Sequence, residues 1–266
     1  MQSMMRSLAD FERYTVSATD GDVGSVADFL FEDDRWVIRY LVVKTGPLAH
    51  RTRVLISPLF FGKADWQSYR FHLSLPMAKV ESSPSIDTDK PVSRQQEIEY
   101  YNYFGYPYYG KSRKLWGTRD YPGATAAGMA TDTLAEHADK ATGDVHLRSA
   151  GEVRGYHVQS TDGVVGHIED FIVDDHTWEV RYLVVNTRDW WPGKKVLVAP
   201  RWVSSVSWEG KKVHVDLSRQ AIKGSPAWVV DAAVNREYET RLYDYYGRPV
   251  YWLGGEPAEE QRAPHP

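Results

Sequence analysis

The sequence predicts a mainly β fold, made of two tandem small antiparallel β-barrels, each followed by a short aromatic-rich helix and tail. Three observations lead to this prediction. The 266-residue chain contains one unit written twice, at a constant offset of 142 residues. Each copy is a series of short β-branched and aromatic runs separated by turn residues. Each copy then ends in a segment crowded with tyrosine that carries helix-boundary signals.

The repeat is clearest where TDGDVGSVADFLFEDDRWVIRYLVVKT (19–45) is compared with TDGVVGHIEDFIVDDHTWEVRYLVVNT (161–187). It continues without a gap from the first tyrosine of each copy to the last, and about a third of the aligned positions are identical. A unit of this size is typical of a small domain. The aligned stretches run from Tyr14 to Tyr109 and from Tyr156 to Tyr251.

The repeat divides the chain into domains. The match extends back to Arg6-Ser7 and Arg148-Ser149, so each unit begins before its first long strand. The stretch between the units is rich in Ala, Thr and Gly over 123–143, which is typical of a linker, with a short helix expected near 131–140. The predicted parts are a first copy (5–111), a linker (112–146), a second copy (147–254) and a flexible tail (255–266).

The strands are predicted from β-branched and aromatic runs between turns. Asp20-Gly21, repeated as Asp162-Gly163, predicts a hairpin turn before the longest strand. Proline ends the fourth strand of each copy. The predicted strands lie at 14–18, 23–31, 36–43, 53–58 and within 61–75 of the first copy, and at 178–185, 195–200 and 203–217 of the second, where the segment before 178 repeats the first two.

The third strand is apolar on both faces near its end, at Leu41, Val42 and Val43. A strand covered on one face only should alternate between apolar and polar residues. We therefore expect another element to cover the outer face of the sheet at this point.

A helix of about ten to twelve residues is predicted at the end of each copy. In the first copy, Ser93 and Gln96 form a capping-box pattern, and Gly105 followed by Pro107 marks the helix end. Its aromatic residues spread around most of the helix circumference, so more than one side should be buried. Two interpretations remain: the helix only caps its own barrel, or it also contacts the other copy or a partner chain. The corresponding signals in the second copy are Asn235, Gly247 and Pro249.

The candidate binding residues are aromatic. Two tryptophans, Trp190 and Trp191, appear in a loop where the first copy has Leu48 and Ala49, and tryptophan is enriched at binding hot spots. The alternative is that this loop folds over the barrel end. The other candidates lie in the two helices and tails: Tyr101, Phe104, Tyr109, Tyr243, Tyr246 and Tyr251.

Two cross-strand ion pairs are also predicted. If Phe31 lies opposite Trp36, antiparallel pairing places Asp28 opposite Arg39. A carboxylate and a guanidinium at that separation form a charge-assisted contact, whereas exposed charges would contribute little. The equivalent pair in the second copy is Asp170 with Arg181.

Several motifs together resemble the PRC-barrel family, which includes the cytoplasmic domain of the photosynthetic reaction-centre H subunit and a domain of a ribosome-maturation factor. These motifs are DGDVGSVADFLFEDDRWVIRYLVVKTG, VLISP and SPSIDTDKPVSRQQEIEYYNYFGYPYYG, and most recur in the second copy, where IDTDKPVSR becomes WVVDAAVNR. The resemblance covers both copies and implies a small barrel used for assembly and protein contact rather than catalysis. Unlike the H subunit, this sequence shows no N-terminal membrane helix.

Composition argues against several function classes. The net charge of −4 gives no general attraction to nucleic acid, the absence of cysteine suits the cytoplasm, and no run is long and apolar enough for a membrane helix or signal peptide. We find no nucleotide-binding loop, zinc-protease motif or nucleophile elbow.

His72 and His214 recur but are expected as ordinary strand residues, and the acidic turns at 32–34 and 174–175 lack calcium-loop spacing. No cofactor or metal is expected.

The sequence therefore predicts a cytoplasmic, non-enzymatic interaction or scaffold protein, related to stress or to a membrane complex. The alternative is an RNA- or ribosome-associated assembly adaptor. The protein partner is not identified by the sequence. We expect the two copies to pair with each other inside one chain, with any homodimer secondary, because one barrel cannot cover the apolar surface of its helix.

Overall fold

The fold was analysed in a computed structural model, which describes residues 4–12, 14–46, 52–62, 67–84, 94–105, 116, 121–122, 147–187, 193–229 and 234–253. The chain is mainly β and forms two sheets, one for each copy of the repeat. Equivalent strands occur in the same order in both copies. The prediction of a mainly β fold is therefore confirmed.

The described elements of the first copy are β1 (Met5–Ser7), α1 (Leu8–Phe11), β2 (Thr15–Ala18), β3 (Gly21–Glu32), β4 (Val37–Thr45), β5 (Thr52–Ile56), β6 (Arg70–His72), α2 (Met77–Glu81) and α3 (Arg94–Phe104). Those of the second copy are β7 (Leu147–Ser149), α4 (Ala150–Val153), β8 (His157–Ser160), β9 (Gly163–Asp174), β10 (Val180–Asn186), β11 (Lys195–Val198), β12 (Val203–Ser207), β13 (Lys212–Val215), α5 (Arg219–Gly224) and α6 (Arg236–Tyr246).

The sheets differ from the predicted closed antiparallel barrels in two ways. The strand orders are β5-β4-β3-β2-β6 and β11-β10-β9-β8-β13-β12, and neither sheet closes on itself within the described residues. A 3₁₀ turn at Pro200–Trp202 separates β11 from β12, and proline cannot donate a ladder hydrogen bond there. In addition, β2–β6 and β8–β13 pair in parallel, because the chain crosses from β5 or β11, at one edge of its sheet, to the side of β2 or β8 that faces away from the long strand.

One glycine in each sheet is explained by close strand approach. A side chain at Gly24 would place its Cβ 2.0 Å from the carbonyl oxygen of Lys44 on β4. Gly166 meets Asn186 in the same way at 2.1 Å, and its φ of 153° lies in a region that residues with side chains rarely adopt. The Gly that follows each Asp-Gly turn by three residues is therefore required by the backbone.

The predicted outer cover of the third strand is confirmed. Leu41 and Val43 lie in a large core that spans both copies, whereas Val42 faces a smaller cluster beneath α3. Tyr100 and Tyr101 of α3 form the lid of this smaller cluster. Strand β4 is therefore buried on both faces.

The helix boundaries also follow the predicted signals where they are described. The side chain of Asn235 accepts a hydrogen bond from the Tyr238 backbone N–H at 2.9 Å, which caps α6. Gly247 and Gly105 adopt positive φ values of 60° and 71° after the two helices, as expected for the C′ position. Ser93 and the predicted linker helix lie outside the described residues. No helix within the described ranges is both long and apolar enough to cross a membrane.

Candidate interaction site between the two copies

The two copies exchange their first segments, here called the arms: β1 with α1 (residues 5–11) and β7 with α4 (residues 147–153). Strand β1 of the first copy pairs with β9 of the second, and β7 of the second copy pairs with β3 of the first. Strand β1 lies along the half of β9 that β8 leaves free, and β7 lies along the half of β3 that β2 leaves free. The exchange is reciprocal and follows the 142-residue offset, so the copies are related by a pseudo-twofold axis.

A serine in each arm locks it to an aspartate of the other copy. The hydroxyl of Ser7 donates to the Asp170 carboxylate, and the hydroxyl of Ser149 donates to Asp28. A backbone N–H of each arm donates to the same carboxylate: Ala9 to Asp170 at 3.2 Å, and Gly151 to Asp28 at 3.0 Å. Burial raises the pKa of Asp170, an effect opposed by the Ser7 hydrogen bond and by the Arg154 guanidinium. Both carboxylates are thus structural acceptors.

An arginine beside each serine reaches the acidic turn of the other copy. Arg148 contacts Asp33 at 3.2 Å, and Arg6 contacts Asp175 at 3.5 Å. Both pairs are largely shielded from solvent. These turn carboxylates, weighed above as cation ligands, are therefore engaged by guanidinium groups. No cluster of potential metal ligands occurs in the described part of the chain.

At the centre of the contact, the two hairpin tips (residues 33–36 and 175–178) meet. The N–H of Ile38 donates to the carbonyl of Trp178 at 2.8 Å, and the N–H of Val180 donates to the carbonyl of Trp36 at 2.7 Å. Trp36 and Trp178 both adopt positive φ, at 56° and 59°, which is uncommon for bulky residues. The pairing of the tips holds the two tryptophans in this conformation.

Trp178 inserts into the interior of the first copy. Its ring lies 4.8 Å from Phe61, 5.8 Å from Phe71 and 5.9 Å from Phe11, measured between ring centroids. It is only 5% exposed. Offset and edge-on aromatic pairs of this kind stabilise beyond their buried area. Trp178 is therefore part of the first copy's core although the second copy supplies it.

The predicted Asp28–Arg39 and Asp170–Arg181 pairs are wrong. The observed register places Asp28 opposite Val42 and Asp170 opposite Val184. The strands pair three residues further along than predicted: Phe31 lies opposite Ile38 and Val173 opposite Val180, two residues beyond the predicted tryptophans, and a β-bulge adds one more residue. The bulge leaves Arg39 and Arg181 outside the regular pairing.

The two bulge arginines instead pair with the carboxylate that ends the preceding strand. Arg39, which is fully buried, contacts Glu32, and Arg181 contacts Asp174 at 3.7 Å and Glu179 at 2.8 Å. Burial raises the pKa of the Glu32 carboxyl in spite of the nearby Arg39 guanidinium. An aromatic ring covers each guanidinium: Trp116 lies over Arg39 and Tyr251 over Arg181.

The helix aromatics predicted as contacts are mainly interior residues. Tyr101 and Tyr243 are 2% and 1% exposed, and burial raises the pKa of both hydroxyls. Phe104, Tyr246 and Tyr251 are half-buried. The helices thus pack mainly on their own sheets, although Leu147 of the other copy's arm joins the cluster under α3. Tyr109, Trp190 and Trp191 lie outside the described residues.

Each helix also carries a buried glutamate that sequence analysis missed. The hydroxyl of Tyr40 donates to Glu97 at 3.0 Å, and that of Tyr182 donates to Glu239 at 2.7 Å. Burial raises the pKa of the Tyr182 hydroxyl strongly, so it stays protonated and serves as a donor. The signal was present, because both glutamates and both tyrosines recur at the repeat offset. Trp36 and Trp178 recur in the same way.

Comparison with known families finds one match. The profile of the PRC-barrel domain matches residues 146–222, which comprise β7 to α5 of the second copy. This part of the chain therefore contains a PRC-barrel domain. The matched segment includes the exchanged arm, which lies in the other copy's sheet. A comparison with curated protein sequences gave no match.

Proposed function

We propose that the chain is a non-enzymatic interaction or scaffold protein built on two PRC-barrel domains. One is the matched domain of the second copy, and the other is the first copy. The support for the first copy is its gapless repeat and its equivalent strand order. Its role would be to present a rigid, pseudo-symmetric surface to a protein partner in the cytoplasm, in a stress response or beside a membrane complex. A fold alone does not define a function, so the proposal rests on the site.

The observation that carries the proposal is the use made of the polar groups that recur in both copies. Asp28 and Asp170 lock the arms, and Glu97 and Glu239 accept from strand tyrosines. The buried tyrosine hydroxyls remain protonated, because burial raises the pKa of Tyr182 and Tyr100. The polar groups that recur in both copies thus hold the arms and the helices to the two sheets. This is expected for a scaffold, which acts by presenting a rigid surface.

The proposal is tested by affinity purification of the tagged full chain from its native cell, with washes of increasing salt concentration. We expect a defined protein partner that remains bound at high salt, because an interface with an apolar centre is weakly screened. A variant with Val229 and Leu253 replaced by serine is purified in parallel. Because these are the most exposed large apolar side chains among the described residues, comparison with the parent shows whether the partner binds through them.

Two other outcomes would contradict the proposal. Co-purification of RNA that is released steeply by salt would favour the RNA- or ribosome-associated adaptor instead. Turnover of a small molecule by the purified chain, lost in a variant that keeps its fold, would show an enzyme. As a separate control, recovery of the same partner by the chain unfolded in urea would show that the capture is nonspecific.

A further inference from the structure

The arms do not determine which copies pair with each other. The serine and arginine of each arm are the same in both copies, as Ser7 and Ser149 follow Arg6 and Arg148. Their acceptors are also the same residue types, aspartate in every case. The serine, arginine and aspartate groups are therefore the same for either pairing. Any preference for pairing a first copy with a second copy must come from residues that differ, such as Glu12 and Arg154, which follow the arms at equivalent positions and form an ion pair across the copies.

The residues at the pseudo-twofold axis do differ. Val37 of the first copy forms an isolated antiparallel bridge with Glu179 of the second. The flanking hydrogen bonds, Ile38 to Trp178 and Val180 to Trp36, make this a non-hydrogen-bonded pair, in which the Cα atoms approach to about 4.5 Å. Because the axis passes through this bridge, a residue here faces its own counterpart whenever two identical copies pair.

Three pairings are geometrically equivalent, and they place different residues face to face. The pairing seen within the chain sets Val37 against Glu179. At the axis, two first copies would set valine against valine, an apolar contact without a charge penalty. Both kinds of identical pair would bring like charges together at the position shared by Glu12 and Arg154, so the two kinds differ at the axis. Two second copies would set glutamate against glutamate, and like charges directly opposite each other are destabilising.

The surroundings of Glu179 leave little positive charge for a second carboxylate. Its Oε1 lies 2.8 Å from Nη1 of Arg181, and the same guanidinium also contacts Asp174 at 3.7 Å. Burial raises the pKa of Glu179, the guanidinium groups of Arg181 and Arg201 oppose this, and the Asp174 carboxylate adds to it. One arginine is thus already shared by two carboxylates before a second Glu179 is brought to the axis.

We propose that Glu179 is a pairing-specificity residue, which allows a second copy to pair with a first copy and disfavours its pairing with another second copy. The partner selected by this surface is the first copy of the same chain. Association of two chains through their second copies is disfavoured by the charge at the axis.

A charge-exchange series in the intact chain tests the central step. Val37→Glu places two glutamates at the axis, as in a pair of second copies. We expect it to lower the urea midpoint at least about twice as much as Val37→Gln, which adds a polar group of similar size without charge. Adding Glu179→Val to Val37→Glu should restore most of the loss. Equal losses for Val37→Glu and Val37→Gln would overturn the proposal.

Pair selection is measured directly in a full-length chain with a protease site inserted in the linker, within residues 123–146. After cleavage, the two halves are unfolded together in urea and refolded. Native mass spectrometry then measures the abundance of mixed pairs, pairs of first copies and pairs of second copies. We expect pairs of second copies to be about tenfold rarer than pairs of first copies, and to increase by a similar factor with Glu179→Val, since about 1.4 kcal/mol corresponds to a factor of ten. Equal abundance of first-copy pairs and second-copy pairs, or no response to Glu179→Val, would contradict the proposal. Where the halves do not refold, the charge-exchange series in the intact chain decides it.

Discussion

The first and second copies follow the same chain path but fill their interiors differently. The first copy places phenylalanine where the second has valine, and this difference occurs on the arm, the long strand and the last strands. Trp178 of the second copy packs among these phenylalanines. The same backbone can thus enclose a core that is more aromatic or more aliphatic. The exchanged positions are Phe11, Phe31, Phe61 and Phe71, with Val153, Val173, Val203 and Val213.

The copies also cover their buried strand arginine by different means. In the second copy, Tyr251 of its own tail lies 4.3 Å from the Arg181 guanidinium. In the first copy, Trp116 of the linker lies 4.9 Å from Arg39, and its indole N–H donates to the Thr177 carbonyl of the second copy at 2.8 Å. The requirement for an aromatic cover is therefore kept, while the segment that supplies it changes. Trp116 adds a further link between the copies.

The largest effect is expected from emptying the cluster under α3. Replacing Tyr101 and Phe104 together with alanine should cost several kcal/mol, because each fully buried aromatic truncation costs about 3–5 kcal/mol and Phe104 is only half-buried. The same change at Tyr243 and Tyr246 is the matched control in the second copy. Urea unfolding measures both losses, and a Tyr101/Phe104 variant as stable as the parent would show that α3 does not contribute to the fold.

The next effect tests the insertion of Trp178 into the core of the first copy. Trp178→Ala should lower the free energy of unfolding by about 3–5 kcal/mol, because the ring fills the aromatic core of the other copy. Trp208→Ala, at a half-buried position on the β12–β13 turn, is the control and should cost clearly less. If both variants lose the same stability, the insertion of Trp178 into the first copy stabilises the chain no more than a half-buried tryptophan does.

The two arm locks should differ in strength. Asp170→Asn should cost about 1–3 kcal/mol, because Asp170 is buried and also accepts from the Arg154 guanidinium at 3.2 Å. Asp28→Asn should cost about 1 kcal/mol, since Asp28 is less buried and the first copy has Glu12 at the position of Arg154. Hydrogen exchange of the arm amides provides a local readout. A larger loss for Asp28→Asn would reverse the comparison.

The smallest effect is the pH dependence of the Asp170 lock. Because burial raises the pKa of Asp170 in the folded state, the folded chain binds a proton at a higher pH than the unfolded chain. Its contribution to stability therefore rises as the pH falls from 7 through the folded pKa, and is fully gained below the unfolded value of about 3.9. Between pH 7 and 5, the urea midpoint of the parent should therefore rise relative to that of Asp170→Asn. Parallel urea midpoints at both pH values would contradict this.

Much of the fold was predictable from local pattern. The Asp-Gly turns, the β-branched runs and the cap residues Asn235 and Gly247 each act within a few neighbouring residues, and the structure places elements where they predict them. The double-sided burial of β4 was also visible in Leu41, Val42 and Val43. The Asp28–Arg39 register was not predictable in this way, because the hairpin tip is two residues longer than predicted and the bulge adds one more, and neither leaves a strong local signature.

The repeated unit, the positions of most strands and helices, and the side chains that recur can all be read from the residues in chain order. Three features are seen only in the folded chain: the arms cross over, Trp178 belongs to the other copy's core, and Val37 meets Glu179. The physical reason is that backbone propensity acts over a few residues, whereas a sheet edge accepts any strand of suitable pattern. Arg6-Ser7 and Arg148-Ser149 present the same side chains to either edge, so the choice depends on other contacts between residues more than one hundred positions apart, such as Val37 with Glu179 and Glu12 with Arg154.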